Sequence, residues 1–296
     1  MLEQLLTEQR NPASTDIGDQ PTEGILRIIN AEDHKVAAAV ETQIPVISRA
    51  VDAIVAAIKK GGRLFYIGAG TSGRLAILDA AECPPTFSVP EAMVQGVMAG
   101  GANSLVRATE ASEDDAESGR QDLLGRGFAS ADVLVGIAAS GRTPYVLGAV
   151  SAAHELGATT VGISCSAASE LSSVVDFAIE ALVGPEVVTG STRMKAGTAT
   201  KLILNMISTA VMIRLGHVYE NLMVNVQPKN AKLEDRATRI IVDACGVGYG
   251  TAAELLVVSG KNVKTAIVMS RLSLEREAAE RRLAAVGGRI SEALKR

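Results

Sequence analysis

The sequence predicts an α/β protein: a five-stranded parallel sheet flanked by helices, with flavodoxin-like or Rossmann-like layering, and a small all-helical C-terminal domain. Three observations carry this prediction. Short apolar runs alternate with helical segments between residues 64 and 179, as in parallel sheets covered on both faces. Two of those runs lead directly into glycine turns that open helices. From about Lys232 the pattern changes to short helical segments interrupted by Gly246, Gly248, Gly250, Gly260 and Gly287-Gly288.

The elements follow in chain order. Residues 1–21 are polar, with Asn11-Pro12 and Pro21 as breakers, and read as an irregular arm that packs on something else. From Thr22 to Lys60 apolar residues recur at three- and four-residue steps, including Ile25, Ile28, Val36, Val40, Ile47, Val51, Ile54 and Ile58. This spacing predicts two or three helices, closed by Gly61-Gly62. Strands are expected at 64–67, 94–98, 133–137, 160–163 and 177–179, with helices at 72–81, 115–124, 143–156 and 169–174 between them. A long helix over 195–215 is apolar on more than one side, which implies burial in the domain or at a subunit interface. The domain boundaries expected are 1–45 for the arm and first helices, 46–225 for the sheet domain and 232–296 for the helical domain.

Composition narrows the function. A chain of 296 residues with 47% apolar content supports a sizeable core, and a formal net charge of −4 without a basic run provides no footprint for nucleic acid. Cys83, Cys165 and Cys245 are too scattered for a disulfide framework or a CxxC metal site, and a reducing cytoplasm suits them. No apolar run approaches the roughly 20 residues that span a bilayer, so no membrane role is expected. His34, His154 and His217 lie far apart, no metal-ligand spacing is present, and Ser140 lacks the context of a nucleophile elbow.

The chemistry concentrates in two loops. Residues 63–86, RLFYIGAGTSGRLAILDAAECPPT, read as strand, glycine turn and helix, an arrangement that gathers free N–H groups and the positive end of a helix dipole. Gly68, Gly70 and Gly73 satisfy the dinucleotide pattern G-x-G-x-x-G, but the acidic residue that pattern needs at the end of the next strand is missing: Glu91 precedes that strand. The second loop, GIAASGRTP at 136–144, repeats the plan with Pro144 suited to a first helical turn. Each loop alone reads equally as an ordinary capped turn. As a pair on one sheet, with hydroxyls in both turns, they point to a compact phosphate monoester. A third hydroxyl-rich segment, VTGSTRMK at 188–195, is either a further wall or a helix cap with Arg193 and Lys195 solvated.

Two acidic positions stand out. Glu82 falls at the expected end of the 72–81 helix, where the negative end of the dipole, together with shielding from water, raises a carboxyl pKa and makes a proton donor; the alternative is an exposed glutamate at a frayed helix end. The run Glu110, Glu113, Asp114, Asp115, Glu117 reads mostly as a solvated face, although one member near a helix N-terminus would stay ionised, as a general base requires.

The blocks GAGTSGR (68–74), LDAAECPPT (78–86), GIAASGRTPY (136–145), GISC (162–165) and VTGSTRMKAGT (188–198) closely resemble the N-acetylmuramic acid 6-phosphate etherases. These are bacterial enzymes built on the sugar isomerase (SIS) phosphosugar-binding domain. The likeness runs from TEQRNPAS (7–14) through NLMVNV (221–226). Members usually carry Ile-Asp where this chain has Ile17-Gly18, Asp where it has Asn225, and Gly-Ala where it has Ala111-Ser112.

The resemblance implies a lyase that cleaves the D-lactyl ether of N-acetylmuramate 6-phosphate to N-acetylglucosamine 6-phosphate and D-lactate, in the recycling of cell-wall sugar. It implies Glu82 as proton donor and Glu113 as base, with Thr71, Ser72, Ser140, Thr143 and Ser191 toward the phosphosugar. It also implies no cofactor and no metal, a cytoplasmic homodimer and a small sugar phosphate as the partner. An SIS aldose–ketose isomerase and a non-catalytic sugar-phosphate regulator are the alternatives.

Overall fold

A computed structural model describes residues 6–107, 112–228 and 230–295. The sheet holds five parallel strands, β1 (Leu64–Gly68), β2 (Val94–Met98), β3 (Val133–Ile137), β4 (Thr159–Ser164) and β5 (Phe177–Glu180). Their order is β2-β1-β3-β4-β5, with Gly68 opposite Met98 on one side and Ile137 on the other. Every residue of β1 and β3 is buried, which is why these strands read as unbroken apolar runs rather than as an alternation.

Helices α3 (Gly70–Phe87), α4 (Ala116–Gly125), α5 (Pro144–Glu155) and α6 (Glu170–Val174) connect the strands. Ahead of the sheet, α1 (Thr22–Glu41) and α2 (Ile44–Lys59) account for the apolar spacing of that region; α2 buries Ile47, Ala50, Val51, Ile54 and Val55 along one face. The core of the sheet domain gathers Phe65, Ile67, Leu134, Tyr145, Val146, Val150 and Leu171. Phe65 meets Phe128 edge to face at 5.1 Å between ring centroids.

The long helix α7 (Lys195–Arg214) is apolar and long enough to cross a membrane by composition alone. Of its most apolar window 56% is buried in the protein, and Ala199, Ile203, Leu204 and Ile207 are inside, as in a core helix. Beyond it come α8 (Ala231–Cys245), α9 (Tyr249–Val258), α10 (Val263–Leu272), α11 (Arg276–Ala285) and α12 (Ile290–Ala293). Asn230 and Asn262 cap α8 and α10 with their side chains, and Gly246 ends α8 in the left-handed conformation, whereas Gly250, read as a breaker, lies inside α9. Ile241, Ala252, Leu256, Ile267 and Val268 form the core of this region.

The chain forms two compact units that do not follow its order. One takes in the chain as far as Ala81 and then Ala92–Ser208; the other takes in Glu82–Glu91 and the chain from Thr209 onward.

Candidate functional site

In a parallel sheet ligands bind beyond the carboxyl ends of the strands, at the point where the order reverses. Here that point lies between β1 and β3, because the chain leaves β1 outward to β2 and returns on the other side to form β3. The two loops that open there are the two hydroxyl-bearing glycine turns. They are neighbours, since β1 and β3 are hydrogen-bonded side by side through Gly68 and Ile137.

The first turn is tight for a steric reason. A Cβ on Gly73 would stand 2.6 Å from the carbonyl oxygen of Gly68, so the helix can fold back onto its strand only with glycine there. The G-x-G-x-x-G pattern thus serves backbone approach and needs no nucleotide to explain it. Thr71 and Ser72, half-buried, occupy the first turn of α3.

Gly70 opens α3 with φ +53°, and a Cβ there would lie 2.9 Å from Glu113 Oε1. The half-buried carboxylate of Glu113 therefore rests against the N-terminus of α3, where free N–H groups and the helix dipole favour negative charge. Its backbone carbonyl accepts from Tyr145 N at 3.1 Å, which ties the Glu113 segment to the start of α5. Arg74 holds the other side of the same excursion, donating to the carbonyls of Ser104 at 2.8 Å and Leu105 at 3.0 Å. The sequence reading passed over Arg74; the signal available was a cation inside a glycine-turn block, with nothing to show where it reached.

The acidic run divides as a chain of local roles. Glu110 lies outside the described residues. Asp115 caps α4, accepting from Ser118 N at 2.9 Å and Ser118 Oγ at 2.6 Å, and these bonds hold its carboxyl below the usual range. Asp115 also lines a polar cavity of about 350 Å³ with Ser118, Asp122 and Tyr145, whose hydroxyl donates to Asp122 Oδ2 at 2.6 Å.

In the second turn, Gly141 has φ +68° and Arg142 N donates to Ser140 Oγ at 3.4 Å. Thr143 precedes Pro144 at the start of α5, and its side chain makes no capping hydrogen bond. Ser140 and Thr143 are both half-buried. This helix start therefore has its hydroxyls in place, on the strand next to the first loop.

The third segment enters α7 at the same end of the sheet domain: Thr71 Cγ2 would be 3.5 Å from a Cβ on Gly197. The N-terminus of α7 is already occupied. Glu186 Oε2 accepts from Lys195 N at 3.0 Å and Glu186 Oε1 from Ala196 N at 2.9 Å. Ser191 is half-buried and Arg193 exposed, but Lys195 is only 1% exposed and donates to Glu32 Oε2 at 2.5 Å. Of the two readings of this segment, the one with Lys195 solvated does not hold: a carboxylate 163 residues away in sequence provides the charge that its burial requires.

Glu82 has the exposed side chain of the alternative reading, but not its place at a helix end. The helix runs on through Pro84 and Pro85 to Phe87, so Glu82 is not at its end, and its side chain is exposed. Neither feature expected to favour a proton on it, a helix C-terminus or shielding from water, is present in this chain. The prolines fail to stop the helix because Cys83 and Phe87 beside them are buried, and the Phe87 carbonyl accepts from Asn225 Nδ2 at 2.9 Å.

Comparison with known proteins bears on the family and the fold. Residues 46–154 match the glucokinase regulatory protein N-terminal SIS domain. Over 291 residues the chain is 55% identical to the N-acetylmuramic acid 6-phosphate etherase of Aeromonas hydrophila, covering 98% of each. It is 51% identical to the enzyme of that name from Caldanaerobacter subterraneus, covering 99% of this chain and 96% of the relative. Among solved structures, a phosphoheptose isomerase from Francisella tularensis superposes with a TM-score of 0.52 at 17% identity, over 64% of this chain and 97% of that one. The phosphoheptose isomerase of Neisseria gonorrhoeae does so with 0.51 at 19%, over 64% and 99%. At these identities the likeness to the isomerases is one of fold.

Proposed function

Because the chain belongs to the N-acetylmuramic acid 6-phosphate etherase family, we propose that its two switch-point loops seat a sugar phosphate while Glu113 and Glu82 move the protons of the lyase reaction. The enzyme is a carbon–oxygen lyase that cleaves the D-lactyl ether of N-acetylmuramate 6-phosphate, releasing N-acetylglucosamine 6-phosphate and D-lactate. The observation that carries the reading is the full-length identity to the etherases, taken with two hydroxyl-bearing turns side by side at the reversal of the sheet.

The chemistry can be followed atom by atom. In the open-chain sugar the hydrogen on carbon 2 is acidic because it is alpha to the aldehyde. Glu113 takes that proton, the freed electron pair forms the carbon 2–carbon 3 double bond, and the bond from carbon 3 to the lactyl oxygen breaks. Glu82 protonates the departing oxygen. Water then adds at carbon 3 and a proton returns to carbon 2. What supports Glu113 as base is its seat at the α3 N-terminus, which favours the ionised carboxylate. The role of Glu82 rests on its place in the ECPPT block.

The phosphate goes to the β3–α5 turn, with Ser140 and Thr143 as hydroxyl donors and Thr71, Ser72 and Ser191 around it. Glu186, already bound to the first two N–H groups of α7, would repel a phosphate from that helix start. A homodimer is part of the same proposal: Leu26, Leu78 and Met206 of the sheet domain are 60%, 54% and 38% exposed, and a second copy would cover them. Three free cysteines, two of them buried, suit a reducing cytoplasm, and the reaction places the enzyme in recycling of cell-wall sugar.

The test is D-lactate release from N-acetylmuramate 6-phosphate by the wild type and by Glu82→Gln and Glu113→Gln. Each variant is expected to lose about 10²-fold or more in kcat. An isomerase would release no lactate, and a folded Glu82→Ala enzyme with wild-type lactate release would remove Glu82 from the mechanism.

A further inference from the structure

Five buried groups join the N-terminal arm to the third wall of the site. Asn11 uses both of its amide hydrogens, donating to Glu32 Oε2 at 2.9 Å and to the Pro185 carbonyl at 2.9 Å. Ser14 Oγ donates to the Val187 carbonyl at 2.9 Å. Glu32 takes Lys195 on the same carboxylate and Lys35 on its outer oxygen. Glu186, between Pro185 and Val187, reaches forward to clamp the first two N–H groups of α7.

The consequence is geometric. Residues 188–194 are fixed at one end by the arm, through the carbonyls of Pro185 and Val187, and at the other by Glu186 and Lys195. Between these anchors the segment's own backbone bonds are local turns, from Ser191 N to the Val188 carbonyl at 3.0 Å, from Thr192 N to the Gly190 carbonyl at 3.0 Å and from Met194 N to the Ser191 carbonyl at 3.4 Å. Gly190 has φ +77°, and a Cβ there would be 3.4 Å from Glu8 Oε2 of the arm. With little of its own to define its path, the segment takes its position from the buried array.

We propose that Asn11, Glu32, Glu186 and Lys195 are positioning residues for the lyase reaction, which set the 188–194 segment and its Ser191 against the phosphosugar and make the N-terminal arm part of the site. This rests on the reading of the preceding section that a sugar phosphate binds there. Stability alone does not account for the array, because replacing a buried ion pair by apolar residues of similar volume is often neutral or stabilising. Fixing one conformation of a loop is a role that an apolar pair would not fill. Although burial works against its charge, hydrogen bonds from Lys195, Lys35 and Asn11 bring the Glu32 pKa down to about 2, which favours the carboxylate that these donors need.

The experiment uses the full chain carrying Glu32→Leu with Lys195→Met, and separately Asn11→Ala, which removes no charge. Lactate release gives KM and kcat, calorimetry gives the Kd of N-acetylglucosamine 6-phosphate, and thermal melting reports the fold. Positioning predicts a rise of about tenfold in KM and in the product Kd for both variants, with kcat lowered less and the Asn11→Ala melting temperature within a few degrees of wild type. Unchanged KM and Kd in folded variants would overturn the proposal and leave the array a structural anchor. If the double variant does not fold, Asn11→Ala decides alone. A wild-type enzyme that releases no lactate would count against the functional reading instead, and the calorimetric comparison would still test the loop.

Discussion

Replacing Gly70 with alanine separates a backbone penalty from a catalytic one. The residue sits at φ +53°, where an L side chain costs about 1–2 kcal/mol. Its new methyl would also stand 2.9 Å from Glu113 Oε1, closer than carbon and oxygen tolerate, so the carboxylate must retreat by several tenths of an ångström. Glutamate is flexible, so this retreat adds little to the stability cost. For a general base it matters, since displacements approaching 1 Å can cost on the order of 10²-fold in rate.

Gly157 provides the control. It lies between α5 and β4 at the opposite ends of the strands, has φ +71°, and a Cβ there meets nothing within 4 Å. Gly157→Ala should therefore carry the same backbone penalty, a fall of about 2–4 °C in melting temperature per kcal/mol, and retain wild-type kcat. Gly70→Ala should match that fall and lose a further ~10- to 100-fold in kcat for lactate release. Equal kcat in the two variants would refute the placement of Glu113 as the base.

Other expectations concern binding, folding and pH. Ser140→Ala and Thr143→Val should raise KM by about tenfold each with small changes in melting temperature, since each removes one hydrogen bond to a charged group; isothermal calorimetry with the product would check the assignment. Asp132 is buried and accepts from Arg63 N at 2.8 Å, Arg63 Nη2 at 2.7 Å and Ala129 N at 2.9 Å, so Asp132→Ala should cost about 3 kcal/mol in urea unfolding. Burial, with the nearby Lys264 charge, lowers the His217 pKa from 6.5 to about 4, and the ring accepts from Asn225 Nδ2. The unfolded chain thus binds the extra proton first: stability is full above about pH 6.5 and falls by about 3 kcal/mol as pH drops through 4. Glu32, lowered from 4.5 to about 2, continues the loss below pH 4.5. Melting temperatures from pH 3 to 8 test this; Asn225→Asp should abolish the upper step by pairing with the protonated ring.

What the sequence determined was local. The strands were legible because β1 and β3 are buried throughout and so carry unbroken apolar residues, and the loops because glycine, hydroxyl and proline requirements belong to the turn itself. Gly246 marks a helix end for the same reason. The strand order that sets the two loops side by side is a property of the whole sheet and appears in no single segment. Only the tertiary structure decided what needed partners distant in sequence. Pro84 and Pro85 read as a helix stop, and the burial of Cys83 and Phe87 overrides them. Lys195 read equally as part of a further wall or as a solvated charge, and Glu32 makes its burial possible. Glu113 read from the residues alone as one of five carboxylates, with only the resemblance to single it out, and the fold lays it against Gly70. In each case the residue's own chemistry left two environments open, and the choice between them lay in a contact that the chain makes only once folded.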